Sequence, residues 1–99
     1  MQEVSGVKKD HPEVLPCLGI SKAGHDRDRL YIVLGARNGM LLAADGVHSH
    51  VNKPKRKNEK HLQLIYNVTP EIRDLLNEAK IDSDLIHIKR VYSRNQSDR

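Results

Sequence analysis

The residues of this sequence best suited to chemistry are the cations of one short stretch, residues 53–60, termed here the basic segment. It holds five lysines and arginines and one carboxylate, a net charge of +4. The whole chain of 99 residues also carries +4, so the remaining residues sum to zero. Closely spaced cations attract a polyanion, and nucleic acid is the commonest polyanion in a cytosol. The segment therefore predicts a nucleic-acid contact, with a solvated surface loop as the alternative interpretation.

The contacts expected from the basic segment are electrostatic. Pro54 favours an extended chain, which presents the cations as a loop. Phosphate contacts position a protein but carry little sequence information, and Arg56 can also stack on a base or bind a phosphate through two hydrogen bonds. If about five phosphates are neutralised, log affinity falls with log salt at a slope of roughly −3.5 to −4.5. The predicted RNA-binding residues here are Lys53, Lys55, Arg56, Lys57, Lys60 and the adjoining His61.

A second set of cations lies in residues 21–29, termed here the first loop. Asp26 and Asp28 offset them, which leaves the loop at +1. Two interpretations stay open: the loop contacts the RNA backbone, or its carboxylates pair with neighbouring arginines and hold the turn. The predicted RNA-binding residues of this loop are Lys22, His25, Arg27 and Arg29.

Other reactive side chains give weaker patterns. His48 and His50 share a face if their segment is a strand, and imidazoles can bind zinc. No cysteine or carboxylate stands at ligand spacing beside them, so surface histidines or RNA contacts that gain charge at low pH are favoured instead. Cys17 begins an apolar strand, which predicts a half-buried structural thiol.

The sequence contains no Gly-rich phosphate loop, no His-Glu-x-x-His pattern and no plausible catalytic triad. It predicts a protein that is not an enzyme and uses no metal, cofactor or small-molecule substrate. The longest apolar run, Met40–Ala44, is far shorter than the roughly 18 residues of a membrane helix. With a single cysteine and no signal-peptide pattern at the N-terminus, the expectation is a cytoplasmic protein without membrane contact.

The elements that must position these residues follow from pattern. About five short strands are predicted within some fifty residues, which is typical of a small barrel. Residues 30–34 are apolar throughout, as in a strand covered on both faces. Asn38-Gly39 and Asp45-Gly46 predict hairpin turns. The predicted strands are residues 17–20, 30–34, 40–44, 47–51 and 61–68, the last with Leu62, Leu64, Tyr66 and Val68 on one side.

Beyond the strands the pattern becomes helical. Thr69 caps a first helix whose apolar face holds Ile72, Leu75, Leu76 and Ala79. Asp82 or Ser83 caps a second helix presenting Leu85, Ile88 and Tyr92, although residues 85–88 also fit a strand. The predicted organisation is an N-terminal tail (1–15), a β-barrel domain (16–68), a helical extension (69–94) and a C-terminal tail (95–99).

Two stretches resemble a known family. Residues 19–33, Gly-Ile-Ser-Lys-Ala-Gly-His-Asp-Arg-Asp-Arg-Leu-Tyr-Ile-Val, resemble the KOW motif of ribosomal and transcription-elongation proteins. The Ala-Asp-Gly of residues 44–46, the Lys-Pro-Lys-Arg-Lys of 53–57 and the Lys-His-Leu of 60–62 are similar to small bacterial KOW-domain RNA-binding proteins related to large-subunit ribosomal proteins of archaea and eukaryotes. The resemblance covers residues 17–68. Asp28 stands where the family favours glycine, and aspartate tolerates the left-handed conformation better than most residues.

The resemblance implies a mainly β fold, a Src-homology-3-like small β-barrel, here with a C-terminal helical extension. It implies a non-catalytic protein that binds RNA, in particular ribosomal RNA of the large subunit, with neighbouring ribosomal proteins as further partners. One rival hypothesis is a protein-interaction module that docks a partner through the barrel or the face of the first helix. Another is a metal-dependent enzyme using His48 and His50.

Overall fold

The strands of the protein form an antiparallel sheet. The structure, a computed structural model, describes residues 15–97. The sheet lies in the strand order β4-β3-β2-β1-β5, and every adjacent pair is antiparallel. The predicted mainly β fold is therefore confirmed. The strands are β1 (Cys17–Ser21), β2 (Leu30–Arg37), β3 (Met40–Ala44), β4 (Lys55–Asn58) and β5 (Leu62–Ile65).

The sheet is curled. β4 and β5 are consecutive in the chain but occupy opposite edges, and they are joined only by a 3-10 turn, Glu59–His61. The steps from Asn58 to Leu62 span at most about 15 Å, whereas the outer strands of a flat five-stranded sheet lie about 19 Å apart. The sheet must therefore bend, and a register shift between Val33 and Gly35 gives it a place to do so. The resulting half-barrel confirms the predicted barrel-like fold.

Apolar side chains cover both faces of the sheet. Neighbouring residues of a strand point to opposite faces of the sheet. The adjacent Tyr31 and Ile32 are both fully buried, so both faces are covered. The prediction that residues 30–34 are covered on both sides is thus confirmed. The buried residues of the first face, the Tyr31 face, are Cys17, Tyr31, Val33, Leu41, Ala43 and Leu62. Those of the second, helix-covered face are Leu18, Ile32 and Ala44 with Ile72, Leu76, Leu85, Ile88 and Val91.

The first helix, α1 (Pro70–Glu78), begins where the sequence predicts. Thr69 Oγ1 accepts the backbone N–H of Ile72 at 3.2 Å, and Pro70 occupies the first turn, where its missing N–H costs nothing. Ile72 and Leu76 are buried against the sheet. The predicted apolar face of α1 therefore packs inside the fold.

The second helix, α2 (Asp82–Ser97), buries Leu85 and Ile88 and packs Tyr92 against the same core, as predicted. The prediction of a tail from residue 95 is wrong for residues 95–97, which are helical. No glycine or proline interrupts this stretch, and buried Val91 anchors the last turns. Residues 1–14, which make up most of the predicted N-terminal tail, and residues 98–99 of the predicted C-terminal tail lie outside the described residues. None of the helices within residues 15–97 has the length and apolar character that a bilayer span requires.

Of the two predicted hairpin turns, the first is confirmed. Asn38 and Gly39 have positive φ angles of 53° and 79° and connect β2 to β3. This is the backbone that a two-residue turn needs to match the twist of its strands.

The chain turns at Asp45-Gly46, but the predicted hairpin and the strand predicted at residues 47–51 are wrong. The carboxylate of Asp45 accepts hydrogen bonds from backbone N–H groups that a strand would use for pairing. Short polar side chains commonly make such hydrogen bonds in turns. Gly46 allows the chain to turn here, with φ of 84° and a position where a Cβ would lie 2.8 Å from the carbonyl oxygen of Asp82. The N–H groups bound by Asp45 Oδ1 are those of Val47 at 2.9 Å, His48 at 2.7 Å and Ser49 at 2.9 Å.

Two other boundaries differ from the prediction. The basic segment, predicted as a loop, contributes β4, which pairs with β3 in the register Leu41↔Lys57. The strand predicted at residues 61–68 ends at Ile65, so Tyr66 lies beyond the sheet. Pairing across the sheet decides both differences: β4 has no local strand pattern but pairs with β3, and the alternating pattern continues past Ile65, where the pairing of β5 with β1 stops.

Candidate nucleic-acid interface

The first loop and the basic segment meet at one end of the half-barrel. The backbone N–H of Lys22 donates to the carbonyl oxygen of His61 at 2.9 Å, which ties the start of the loop to the end of the segment. An open cleft of about 400 Å³ lies between them. Five of the ten predicted RNA-binding residues line it: His25, Arg29, Lys55, Lys57 and His61.

Backbone geometry holds the first loop in place. The N–H of Asp28 donates to the carbonyl oxygen of Ser21 at 2.8 Å, and the N–H of Ser21 donates to that of Arg29 at 3.0 Å. Gly24 and Asp28 take positive φ angles of 86° and 73°. Asp28 thus adopts the left-handed conformation, which aspartate tolerates better than most residues.

Asp26 is the buried centre of the cleft, with 8% of its surface exposed. Its Oδ1 accepts the Ser21 hydroxyl at 2.8 Å, and its Oδ2 accepts the Tyr31 hydroxyl at 2.5 Å. The Lys57 ammonium also donates to Oδ2, and Lys55 Nζ lies 3.9 Å away. The sequence predicted neighbouring arginines as partners for this carboxylate, because nothing local indicates a contact with a lysine 31 residues away.

Asp26 and the three side chains that donate to it, Ser21, Tyr31 and Lys57, are termed here the Asp26 cluster. Its two acidic groups, Asp26 and Tyr31, each keep one ionisation state near neutral pH. Burial by itself raises the pKa of Asp26, but hydrogen bonds from Lys57, Tyr31 and Ser21 outweigh it and hold that pKa well below its ordinary value. Burial and the hydrogen bond to Asp26 raise the pKa of Tyr31 to about 12. The cluster therefore consists of an ionised carboxylate, a neutral phenol and an ammonium group.

Lys57 and Lys55 differ in their freedom to bind a ligand. Alternate residues of β4 point to the same side, so both lysines lie on the Tyr31 face. The side chain of Lys57 is only 15% exposed, and its Nζ lies 5.2 Å from the centroid of the Tyr31 ring. Lys55 is about half exposed. Of the two, Lys55 is the cation that can reach a phosphate, while Lys57 stabilises the fold.

The other predicted residues fall into two groups. Arg29 is only partly available to a ligand, because its side chain is 30% exposed and its Nε lies 3.8 Å from Oδ2 of buried Asp45. Arg56 is exposed on the face of β4 opposite Lys55. The remaining predicted residues are all exposed: Lys22, His25, Arg27, Lys53, Lys60 and His61.

The two histidines considered as metal ligands contact different carboxylates. His48 Nδ1 lies 3.1 Å from Asp45 Oδ2, and His50 Nδ1 lies 2.7 Å from Asp82 Oδ2. Asp82 Oδ1 also accepts the backbone N–H of Val51 at 2.8 Å, so the Asp82 carboxylate fixes the loop. Because α2 begins at Asp82, both predicted capping residues, Asp82 and Ser83, lie inside the helix, and the predicted cap is wrong. Within residues 15–97, no group of three metal-ligating side chains comes together.

Two further residues depart from or refine their predictions. Cys17 is fully buried, and burial raises the pKa of its thiol to about 11, as fits a structural cysteine. Tyr66, placed by the sequence in the strand predicted at residues 61–68, instead follows the end of β5 and is 46% exposed. The alternating pattern of residues 62–68 hid this, because nothing local marks Ile65 as the last paired residue.

The two buried aspartates predict acid lability. Burial raises the pKa of Asp45, but backbone N–H groups from Ser49 and Val47 hold it, like that of Asp26, below the ordinary value. Groups with a depressed pKa in the folded state stabilise it fully above their unfolded pKa of about 3.9, and this contribution is lost as the pH falls. We expect the free energy of unfolding, measured with urea, to fall most steeply below about pH 4. Equal stability at about pH 3 and pH 6 would contradict this expectation.

The cleft is lined by the half-exposed Lys55 and by two exposed histidines, His25 and His61, and its buried carboxylate is paired with Lys57. Further exposed cations lie on the two segments that form it, so the surface can attract a polyanion. Comparison with protein-family models and with curated proteins finds no significant match to this chain.

Proposed function

We propose that this chain is a non-catalytic RNA-binding protein that contacts phosphates through the exposed cations of the first loop and the basic segment. The observation that carries the proposal is the convergence of these two segments, tied by the Lys22–His61 backbone hydrogen bond around one open cleft. They are the two parts of the sequence that resemble the KOW family. That resemblance makes ribosomal RNA of the large subunit the first RNA to test.

The fold type proposed with this function is the Src-homology-3-like barrel. Support comes from the five antiparallel strands, from their curled order and from the 3-10 turn that joins the two edge strands. The rival hypothesis, a protein-interaction module that docks a partner through the face of the first helix, is disfavoured because the apolar face of α1 is covered by the sheet and α2. A partner docking on that face would have to displace the core.

The mechanism is neutralisation of phosphates, with the shape of the RNA supplying selectivity. Because Lys57 is held by Asp26, the basic segment offers four exposed cations: Lys53, Lys55, Arg56 and Lys60. If the basic segment makes about four phosphate contacts, its contribution to the slope of log affinity against log salt is roughly −2.8 to −3.6. This contribution is shallower than the one expected from its five cations in the sequence, and the exposed Lys22 and Arg27 of the first loop add to it.

Charge reversal tests the proposal. The test variant is Lys53→Glu, Arg56→Glu, Lys60→Glu, which leaves the Asp26 cluster intact. The matched control is Lys80→Glu, Arg90→Glu, Arg94→Glu, which makes the same change in net charge at exposed positions on or beside α2. Both variants are first checked for folding by circular dichroism.

We expect the wild type and the control to co-sediment with the large ribosomal subunit on a sucrose gradient, and the test variant to stay at the top. In titrations of ribosomal RNA, the test variant should lose most of the salt slope. If the two variants weaken binding equally, net charge and not this surface is responsible. A wild type with a slope near zero refutes the phosphate mechanism.

A further inference from the structure

A second cleft lies on the other side of the 3-10 turn. It has a volume of about 600 Å³ and is lined by Asn58, Glu59, Lys60, Leu62, Leu64 and Tyr66. We propose that this cleft binds an unpaired RNA base, which stacks on the ring of Tyr66 while Lys60 contacts the adjoining phosphate. The inference rests on the proposed RNA-binding function and specifies the form of RNA that is recognised.

The exposure of Tyr66 is the first argument. The chain has three aromatic residues. Tyr31 is fully buried and Tyr92 packs against the core, whereas 46% of Tyr66 is exposed. An aromatic ring left open to water is a surface on which a base can stack, and such stacking is available to every base because each has a π face.

Two of the polar side chains that line the cleft, those of Asn58 and Lys60, can contact a nucleotide, and the third, Glu59, is a carboxylate. Asn58 Oδ1 accepts the backbone N–H of Lys60 at 3.1 Å, which leaves the Asn58 amide NH₂ as a donor toward a base carbonyl. Lys60 is exposed and supplies a cation for the phosphate. Burial, and secondarily the charges of Cys17 and Glu59, raise the pKa of Tyr66, so the phenol presents a neutral ring near neutral pH.

The position of the cleft connects it to the proposed phosphate-binding surface. Lys60 lines the Tyr66 cleft, and the next residue, His61, lines the cleft that holds Lys55 and His25. Because adjacent Cα atoms are about 3.8 Å apart, the two clefts have lining residues that are direct neighbours in the 3-10 turn. A single RNA strand that crosses the turn can thus place phosphates in one cleft and a base in the other.

This geometry predicts a preference for single-stranded RNA. Bases in a duplex are already stacked and paired, and only an unpaired base can turn onto a protein side chain. The test measures affinity for a short oligouridylate and for a duplex RNA of the same phosphate count. Tyr66→Ala removes the ring, Tyr66→Phe keeps it, and Val47→Ala removes a different exposed apolar side chain as the matched control.

We expect Tyr66→Ala to weaken oligouridylate binding roughly tenfold while leaving duplex binding and the salt slope unchanged. Tyr66→Phe and Val47→Ala should bind as the wild type does. In NMR spectra of the wild type, the ring protons of Tyr66, assigned with the phenylalanine variant, should shift upfield on addition of oligouridylate.

Three outcomes overturn the inference. If Tyr66→Ala binds oligouridylate like the wild type, with the salt slope intact, stacking is absent although the proposed phosphate mechanism stands. If polyglutamate binds with the same dependence on Tyr66, the cleft accepts an acidic polypeptide and does not recognise bases. If the wild type binds neither RNA, the proposed function itself fails, and this inference fails with it.

Discussion

Replacing Asp26 with asparagine is expected to lower the free energy of unfolding by about 3–5 kcal/mol, a large share of the stability of a domain of this size. The carboxylate is buried and accepts hydrogen bonds from Ser21, Tyr31 and Lys57. An asparagine is uncharged and has one acceptor oxygen in place of two, so the Lys57 ammonium is left largely buried without a counter-ion. The side chain of Lys57 retains 15% exposure, which places the expected loss toward the lower end of the range.

Urea denaturation followed by circular dichroism measures this loss. The matched control is Asp28→Asn, which removes the same charge two residues away from an exposed site. Asparagine tolerates the positive φ of Asp28, so the control should change stability little. Equal destabilisation by both substitutions would show that charge in the loop matters and the buried pair does not.

A second substitution separates the ion pair from the shape of the site. In an Asp26→Asn, Lys57→Met double variant, the buried ammonium is also gone. We expect the double variant to be more stable than the sum of the single effects predicts, since the two groups interact directly. Strict additivity would mean that Lys57 does not depend on Asp26 for its position.

Leu76→Ala is expected to lower the free energy of unfolding by about 2–5 kcal/mol. Leu76 of α1 is fully buried between the sheet and α2, where it belongs to the same cluster as Leu18, Ile32 and Leu85. Its truncation removes apolar contacts and leaves a cavity that the surrounding strands and helices cannot easily fill. The loss should appear as one cooperative transition, because the helices and the sheet share this cluster.

Leu75→Ala is the matched control for Leu76. Leu75 is the preceding residue of α1 and is only partly buried, so the same truncation should cost roughly half as much or less. Far-ultraviolet circular dichroism and near-ultraviolet tyrosine signals should report the same unfolding midpoint for each variant. If Leu76→Ala melts the helices first and leaves the strands folded, the helices form a separate unit.

The sequence alone determined the features that depend on short-range chemistry. Asn38-Gly39 takes positive φ at both positions because few other pairs can. Thr69 and Pro70 start a helix because one supplies an acceptor and the other needs no partner. The uninterrupted apolar residues 30–34 indicated a strand covered on both sides before any packing was known.

Only part of the candidate site could be predicted from the sequence. The clustering of cations in residues 53–60 is plain in the sequence, and so is the first loop. The sequence does not reveal that part of the basic segment forms a strand that places Lys55 and Lys57 on the Tyr31 face, where Lys57 is largely buried and Lys55 stays half exposed. Nor does it indicate that the strand before Tyr66 ends at Ile65, which leaves the ring open to solvent.

What only the tertiary structure decided has a common physical origin. A buried charge must find a partner, and the partner of Asp26 is supplied by a strand 31 residues away once the sheet has curled. The Asp45 carboxylate holds residues 47–49 in a loop because it binds their N–H groups. Distant residues fix Asp45 in turn: Arg29 Nε lies 3.8 Å from its Oδ2, and Lys89 Nζ donates to its backbone carbonyl oxygen. Local sequence propensity does not predict such contacts. They stabilise the fold only when distant parts of the chain come together and exclude water.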